Sequence, residues 1–329
     1  MKKRIWFNRW FSTGIDFIDL IREGDKEKEF EIYVTHHEYR DSFVKRADYF
    51  ELDSRDNGER YVEFCIEFCK KHKIDIFIPK YCLQTISKYR ERFEILGVKI
   101  LIACDHDVME LVDNKISFYE KCKQLPSIVL PSYFKVNSLE DFKKGLSFFQ
   151  DTNKIACYKP SISEGGLEFK IISNKNDYLH ITIKGALEEL EKKYNNREIM
   201  LMEFLDGDEI SIDCLALNGK LMVAIPRRKI GWKRILENNA TLIKIAEEIT
   251  RELNMSYVFN IQVIYKSGIP MLLELNPRMS GGLKGSCSSG VNFPYLAIQL
   301  LLNRDINIQN IKFGEIIDME NHKVNKKFK

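Results

Sequence analysis

Short apolar runs alternate with amphipathic stretches in the first third of the chain, and this alternation limits the fold more than any other feature. Four runs read as strands: residues 4–7, 31–34, 75–78 and 98–102. Between the second and third runs, residues 59–72 repeat Val62, Ile66 and Cys69 at helical spacing. Strands separated by helices predict an α/β domain with a parallel, Rossmann-like sheet.

Composition excludes several classes of protein. The 329 residues include 51 Lys and Arg against 48 Asp and Glu, a balance too even to indicate nucleic acid or an anionic membrane surface as a partner. The eight cysteines form no Cys-x-x-Cys pair, so we expect reduced thiols rather than zinc ligands or disulfides. No run of 18 apolar residues occurs. We therefore expect a cytoplasmic protein.

The pattern changes after about residue 110. Short strand candidates are joined by turns such as Asn218-Gly219, which predict a largely antiparallel α+β domain. We place the first domain at 1–110, the second at 111–312 and a basic tail at 313–329. No Gly-x-Gly-x-x-Gly fingerprint follows the first predicted strand, so we expect no dinucleotide site there.

The stretch 259–278 carries three oxygen donors, Gln262, Glu274 and Asn276. Alternate residues of a strand share a face, so Glu274 and Asn276 point to the same side. A turn near 267–268 would bring Gln262 across from Glu274 or diagonal to it. Carboxylate and amide oxygens suit Mg²⁺ or Mn²⁺ with substrate phosphates. The alternative is an ordinary hairpin with a solvated polar face.

Lys159 ends a predicted strand and precedes a loop that contains Ser163, Gly165 and Gly166. An ammonium group beside backbone N–H groups that glycine leaves accessible is suited to phosphate. Lys115 starts a predicted helix, whose first N–H groups would also favour an anion. A plain hairpin turn at the glycines and a solvated surface lysine at Lys115 are the alternatives.

The stretch 199–213 reads as a strand, a turn and a second strand. At the end of the first strand, Glu203, Phe204 and Leu205 offer backbone groups to a planar heterocycle, and Glu209 offers a carboxylate to ribose hydroxyls. A strand pair without a ligand explains this stretch equally well.

The order of these segments resembles the ATP-grasp superfamily, and within it the large chain of carbamoyl phosphate synthetase. The run 273–280, Leu-Glu-Leu-Asn-Pro-Arg-Met-Ser, with Gln262 twelve residues before Glu274, is similar to the metal-binding stretch of that group. The resemblance covers about residues 1–305. It implies a two-lobed grasp domain with a smaller mobile lobe over 126–203.

The resemblance also implies a role for each candidate residue. It assigns the ATP phosphates to Lys115, Lys159, Ser163, Gly165 and Gly166, adenine to Glu203, Phe204 and Leu205, ribose to Glu209, and the metal to Gln262, Glu274 and Asn276. Catalysis falls to Asn276 and to Arg278, whose guanidinium would stabilise an acyl phosphate. The chain has Leu167-Glu168 where a further glycine is common in the family, so the phosphate geometry of this loop is in question.

The implied function is a ligase in which ATP, with Mg²⁺, phosphorylates a small carboxylate such as an amino acid, and an amine displaces the phosphate. We expect ADP and phosphate as products, no nucleic-acid or membrane partner, and a homodimer. Arg227 and Arg228 either hold a substrate carboxylate or form a solvated basic turn. The alternative class is an ATP-binding sensor or partner subunit without turnover.

Overall fold

The computed structural model describes residues 2–163, 168–175, 177–193 and 197–318. The chain forms two compact units. The first unit comprises Met1–Met109, Ser211–Ile261 and Asn276–Lys329, and the second comprises Glu110–Ile210 and Gln262–Leu275. The predicted site residues are therefore distributed over both units. Among the described residues, no helix is both long enough and apolar enough to cross a membrane.

A parallel sheet lies in the first unit. Its strands are β1 (Lys3–Asn8), β2 (Phe30–His36), β3 (Tyr49–Leu52), β4 (Ile76–Ile78) and β5 (Lys99–Ile100), in the order β3-β2-β1-β4-β5. All neighbouring pairs are parallel, so the predicted sheet is confirmed. Strand β3 was not among the strands predicted from the sequence. Its residues, at the edge of the sheet, are half-buried or exposed and so form no buried apolar run.

Helices connect these strands. They are α1 (Thr13–Gly24), α2 (Asp41–Val44), α3 (Gly58–His72), α4 (Leu83–Lys88), α5 (Arg90–Glu94) and α6 (His106–Asp113), which continues into the second unit. Helix α3 buries one face, as its spacing predicted. Trp6 of β1 stacks on Phe68 of α3 and on Phe77 of β4, with ring centroids 4.4 and 4.1 Å apart. Each fully buried side chain of this size contributes roughly 1.5–3 kcal/mol through the hydrophobic effect.

A second sheet lies in the second unit. Its strands are β6 (Tyr133–Val136), β7 (Ala156–Pro160), β8 (Lys170–Ile172), β9 (His180–Ile181) and β10 (Ile199–Glu203), in the order β6-β10-β7-β8-β9. The pair β8–β9 is parallel and the other three pairs are antiparallel. The helices of this unit are α7 (Lys115–Cys122), α8 (Leu139–Asp151) and α9 (Ile183–Lys193). Phe142, Phe149 and Tyr158 form part of the core of this unit.

The third sheet contains the hairpins expected from the sequence. Its strands are β11 (Glu209–Leu217), β12 (Lys220–Ile230), β13 (Lys233–Leu236), β14 (Tyr257–Lys266), β15 (Ile269–Asn276) and β16 (Ile316–Asp318), in the order β15-β14-β11-β12-β13-β16. The remaining helices are α10 (Ala240–Glu252), α11 (Leu283–Cys287) and α12 (Phe293–Leu301). The turns Asn218-Gly219 and Ser267-Gly268 have positive φ at both residues, as tight hairpin turns require.

Candidate active site

Lys159 occupies a buried position on β7 in the second unit. Strand β7 lies between β10 and β8 and is buried along its whole length. The Lys159 side chain is only 7% exposed, and no described residue accepts a hydrogen bond from its Nζ. Burial lowers the pKa of Lys159, although the Glu274 carboxylate opposes the shift. The sheet thus holds an ammonium group close to Glu274 without a hydrogen-bonding partner of its own.

Lys115, also in the second unit, is buried as well. Its Nζ donates hydrogen bonds to the carbonyl oxygen of Ser163 at 2.8 Å and to the Ser163 Oγ at 3.3 Å. The surface-lysine alternative is therefore wrong for Lys115. Gly165 and Gly166 of the predicted phosphate loop lie outside the described residues.

The first N–H groups of α7 are not open to an anion, contrary to the expectation for this helix start. Asn114 caps the helix, because its Oδ1 accepts hydrogen bonds from the N–H groups of Ile116 at 3.0 Å and Ser117 at 3.1 Å. Any phosphate binding by this element therefore depends on the Lys115 side chain rather than on the helix N-terminus.

Glu203 ends β10 and is 2% exposed, and its carboxylate is paired with two lysines. Lys154 Nζ donates to Glu203 Oε2 at 2.8 Å and to Ser132 Oγ at 3.0 Å, and Lys266 Nζ donates to Glu203 Oε1. Burial alone would raise the pKa of Glu203, but the two lysines outweigh burial and hold the pKa below its ordinary value. An adenine contact at this position must therefore use the backbone rather than the carboxylate.

The turn before Glu209 approaches β14 very closely within the second unit. A Cβ atom on Gly207 would lie 1.6 Å from the carbonyl oxygen of Tyr265, so only glycine fits there. The Tyr265 N–H donates to the carbonyl oxygen of Asp208 at 3.1 Å. These contacts fix the position at which β11 begins, and the half-buried Glu209 is its first residue.

Strand β15 is irregular at Glu274. Pro270 and Leu272 are buried, and so is Leu275, so the alternation of buried residues changes phase between Leu272 and Leu275. Tyr119 Oη donates to the carbonyl oxygens of both Leu272 at 2.8 Å and Leu273 at 3.1 Å. In a regular strand, consecutive carbonyl groups point to opposite sides. We infer a one-residue bulge at this point.

The bulge matters for the predicted trio of oxygen donors. A hairpin with a two-residue turn at Ser267-Gly268 would place Gln262 opposite Leu273, and Glu274 would then point to the other face of the sheet. One extra residue in β15 would turn Glu274 to the face of Gln262. Gln262 and Glu274 are both half-buried. The next alternate residue, Asn276, is half-buried too and belongs to the first unit.

Arg227 is buried on β12 in the first unit, so the solvated basic turn is wrong for this residue. Its Nη2 donates to Asp213 Oδ2 at 3.2 Å, and its Nε donates to Ser286 Oγ at 3.1 Å. Asp213 also accepts hydrogen bonds from Ser280 at 2.7 Å and Asn260 at 3.0 Å. Its charge is thus matched inside the unit, which leaves a substrate carboxylate no obvious place on Arg227.

Arg228 and Arg278 differ from Arg227 in their surroundings. Arg228 pairs with Glu237, with Nη2 donating to Oε2 at 3.2 Å. Arg278 is half-buried and lies two residues after the end of β15, and its backbone N–H donates to the carbonyl oxygen of Asn276 at 2.8 Å. The short Asn276–Arg278 link keeps the two predicted catalytic residues adjacent.

Part of the chain matches a family model, and most of it is similar to curated proteins. Residues 195–324 match the model of a family described as "ATP-grasp in the biosynthetic pathway with Ter operon". The large chain of carbamoyl phosphate synthase from Saccharolobus islandicus is 24% identical over 258 residues, which cover 74% of this chain and 24% of that protein. The chain thus spans about a quarter of the length of the curated relatives it matches.

Solved structures give the fold. One similar structure is N5-carboxyaminoimidazole synthetase from Staphylococcus aureus, complexed with ADP. Its TM-score is 0.69 at 12% identity, and the match covers 95% of this chain and 81% of that chain. A second similar structure is the biotin carboxylase domain dimer of Hydrogenobacter thermophilus 2-oxoglutarate carboxylase, in complex with MgADP, ADP and bicarbonate. Its TM-score is 0.69 at 14% identity, and the match covers 96% of this chain and 73% of that chain. This chain has an ATP-grasp fold.

The ATP-grasp resemblance predicted from the sequence is thereby confirmed, and so is the fold class. The family match includes most of the candidate residues, from Glu203 through Arg278, whereas Lys115 and Lys159 precede it. The roles of the individual residues stay predictions.

Sequence reasoning missed the hydrogen-bond partners of two buried polar clusters. These are Lys154 and Lys266 at Glu203, and Asp213, Ser280 and Ser286 at Arg227. One signal was present for Asp213, since a carboxylate in the middle of the apolar strand Glu209–Leu217 must be paired if it is buried. The lysines gave no comparable signal, because isolated lysines beside strands are common on protein surfaces.

Proposed function

We propose that this ATP-grasp protein is a ligase that activates a small carboxylate as an acyl phosphate for attack by an amine, with release of ADP and phosphate. The observation that supports the proposal most strongly is the buried Lys159 ammonium group beside Glu274. A buried cation without a hydrogen-bonding partner is costly, and a bound anion such as a nucleotide phosphate would offset that cost.

The chain's own residues fit Mg²⁺ or Mn²⁺. Gln262, Glu274 and Asn276 offer one carboxylate and two amide oxygens, the donors that hard cations accept together with substrate phosphates. With the one-residue bulge inferred in β15, Glu274 would lie on the same face as Gln262. These three residues would hold the metal, which would neutralise phosphate charge when bound.

In the proposed reaction, Lys115 and Lys159 bind the phosphates of ATP and orient the terminal one. A carboxylate oxygen of the substrate attacks the terminal phosphorus, and the bond to ADP breaks. The amine then attacks the acyl carbon, phosphate leaves, and the amine loses a proton. Arg278 stabilises the negative charge of the acyl phosphate through its guanidinium fork. We also propose a cytoplasmic homodimer acting on small molecules.

The test is product analysis with defined substrates. The purified chain is incubated with MgATP and a panel of amino acids and hydroxy acids, singly and in pairs, and nucleotides are separated by chromatography. We expect ADP and phosphate that depend on a carboxylate, and a condensed product when an amine is added. AMP with pyrophosphate would contradict the acyl phosphate step.

Variants connect the activity to the site. Glu274→Gln should lower turnover far more than it lowers stability, because it removes one charge from the proposed metal site. MgATP binding without ADP formation under any substrate pair would favour the sensor alternative. Parent-rate turnover in both Glu274→Gln and Lys159→Ala would favour an ordinary hairpin without a metal.

A further inference from the structure

The carboxyl edge of the parallel sheet in the first unit has a topological switch point. From β1 the chain passes through α1 to β2 on one side, whereas from β4 it passes through α4 and α5 to β5 on the other. Right-handed crossovers in opposite directions place their helices on opposite faces of a sheet. A switch point of this kind marks the crevice, between the loops after the two strands, in which open α/β sheets bind ligands.

The two loops that border this crevice are rigidly joined. Asn8, the last residue of β1, donates from Nδ2 to the carbonyl oxygen of Tyr81 at 3.0 Å, and its Oδ1 accepts from the N–H of Lys80 at 2.6 Å. Arg9 and Cys82 have φ values of 41° and 53°. Non-glycine residues held in this left-handed region are strained, and such strain is concentrated at functional sites.

Arg9 projects its guanidinium group between two aromatic rings. The guanidinium carbon lies 4.0 Å from the ring centroid of Tyr81 and 4.9 Å from that of Tyr61. The side chain is 10% exposed, and Nη2 donates to Asp53 Oδ1 at 3.0 Å. Its Nε is buried and has no hydrogen-bond partner among the described residues. A guanidinium has five N–H donors, and a buried donor without an acceptor calls for a missing partner.

Charged side chains near Arg9 include Asp53 and Lys80. Asp53 is the carboxylate that faces Arg9, and it already accepts hydrogen bonds from Tyr61 Oη at 2.6 Å and Thr35 Oγ1 at 3.2 Å. Lys80 adds a second cation, with its Nζ 4.9 Å from the ring centroid of Phe11. Asp53 thus divides its two oxygens among three donors, and the Nε of Arg9 is not one of them.

We propose that this crevice binds a small molecule through an oxyanion group, carboxylate or phosphate, held by the planar fork of Arg9. The tyrosine rings fix the plane of the guanidinium, so the fork is oriented before the ligand arrives. The proposal concerns binding alone and does not depend on the ligase reaction.

The experiment uses the full-length chain without nucleotide, at low ionic strength. Succinate and L-glutamate probe carboxylates, glycerol 3-phosphate and inorganic phosphate probe phosphates, and glycerol is the neutral control. Binding is measured by isothermal titration calorimetry and by the shift in melting temperature. We expect saturable binding of one class of oxyanion and none of glycerol, and the comparison of the two arms identifies the class.

Variants test the role of Arg9. Arg9→Met should weaken the bound oxyanion by at least about tenfold, and Arg9→Lys should weaken it less because the charge remains but the fork is lost. The matched control is Arg46→Met, because Arg46 pairs with Asp19 on the surface of the same unit and the change in charge is identical. This control should bind as the parent does.

Two results would overturn the proposal: no oxyanion binds the parent chain, or the bound oxyanion keeps its affinity in both Arg9 variants. The shift in melting temperature with MgATP is recorded in parallel for every variant. A retained MgATP shift shows that an Arg9 variant is folded, and Arg9→Lys is the decisive variant if Arg9→Met does not fold. Loss of the MgATP shift in the parent would contradict the ligase proposal and leave oxyanion binding standing.

Discussion

Lys159 in the second unit and Arg227 in the first unit are both buried cations, yet their surroundings differ. Arg227 donates hydrogen bonds to Asp213 and Ser286, so its charge is matched by a fully buried carboxylate. Lys159 has Glu274 as an electrostatic neighbour but no hydrogen-bond acceptor among the described residues, and burial lowers its pKa. A buried charge that is fully paired serves the fold, whereas one left without hydrogen bonds is available to a ligand.

The paired cation also has a consequence for the proposed site. Ser280 and Ser286 both donate to Asp213, at 2.7 and 2.6 Å, and both lie shortly after Arg278 in the chain. A Cβ atom on Gly282 would lie 2.5 Å from Nη1 of Arg227, so this segment packs directly on the guanidinium. Arg227 therefore positions the segment that follows Arg278 rather than binding a substrate.

The largest effect is expected at the paired cation. Asp213→Asn should lower the free energy of unfolding by about 3–5 kcal/mol, because it leaves the Arg227 charge buried without a counter-charge. Adding Arg227→Met should restore part of this loss, since the double variant buries no unmatched charge. Urea unfolding measures both. The control is Asp19→Asn at the exposed Asp19–Arg46 pair, which should cost less than about 1 kcal/mol.

The next effect is expected at the unpaired cation and should appear in binding rather than in stability. Lys159→Met should weaken MgATP on the order of 10- to 100-fold, the loss of one or two charge-assisted hydrogen bonds. The free energy of unfolding should stay level or rise, because a costly buried charge is removed. Calorimetry and urea unfolding measure the two quantities. Lys144→Met, at an exposed lysine on α8 of the same unit, is the control. A strongly destabilised Lys159→Met with normal MgATP affinity would reverse the comparison.

Glu203 lies between these extremes. Its two lysine partners, Lys154 and Lys266, are each about one-third exposed, so water compensates them when the carboxylate is removed. Glu203→Gln should therefore cost about 1–2 kcal/mol in the free energy of unfolding, less than Asp213→Asn. A loss as large as that of Asp213→Asn would show that exposure of the partners does not control the cost.

The sequence predicted the elements better than the side-chain partners. Strands β1, β2 and β4 are short apolar runs, so their pattern was visible, and the two glycine turns identified their hairpins. The partners of Arg227 were not visible, because Asp213 is 14 residues away and Ser286 is 59 residues away. Arg227 and Lys159 looked equally suited to an anion, and only tertiary contacts separate them.

The metal-binding trio shows the same limit within one hairpin. Alternation along β15 predicted that Glu274 and Asn276 share a face, and the turn residues predicted the hairpin. Whether Gln262 joins them depends on the bulge near Leu273, which no residue pattern marks. Tyr119, whose hydroxyl donates to the two carbonyl groups at the bulge, lies more than 150 residues earlier in the chain.

The smallest expected effect is the pH dependence of MgATP affinity. Burial lowers the pKa of Lys159 below its ordinary value, and a bound phosphate would raise it again, so binding takes up a proton when the pH exceeds the pKa of the free protein. MgATP should therefore bind more weakly as the pH rises through that pKa, by no more than about tenfold for one pH unit. Calorimetry between neutral and alkaline pH measures the effect.

A variant separates Lys159 from other titrating groups. Lys159→Arg should bind MgATP with little dependence on pH in this range, because arginine keeps its charge. The neighbouring thiol does not interfere, since burial raises the pKa of Cys157 to about 12.

The free energy of unfolding without ligand should change with pH in the direction opposite to MgATP affinity. The unfolded chain binds more protons at Lys159 than the folded chain does between the lowered pKa and the ordinary one, so the free energy of unfolding rises with pH there. If affinity and stability changed with pH in the same direction, the buried ammonium of Lys159 would not be the group that meets the phosphate.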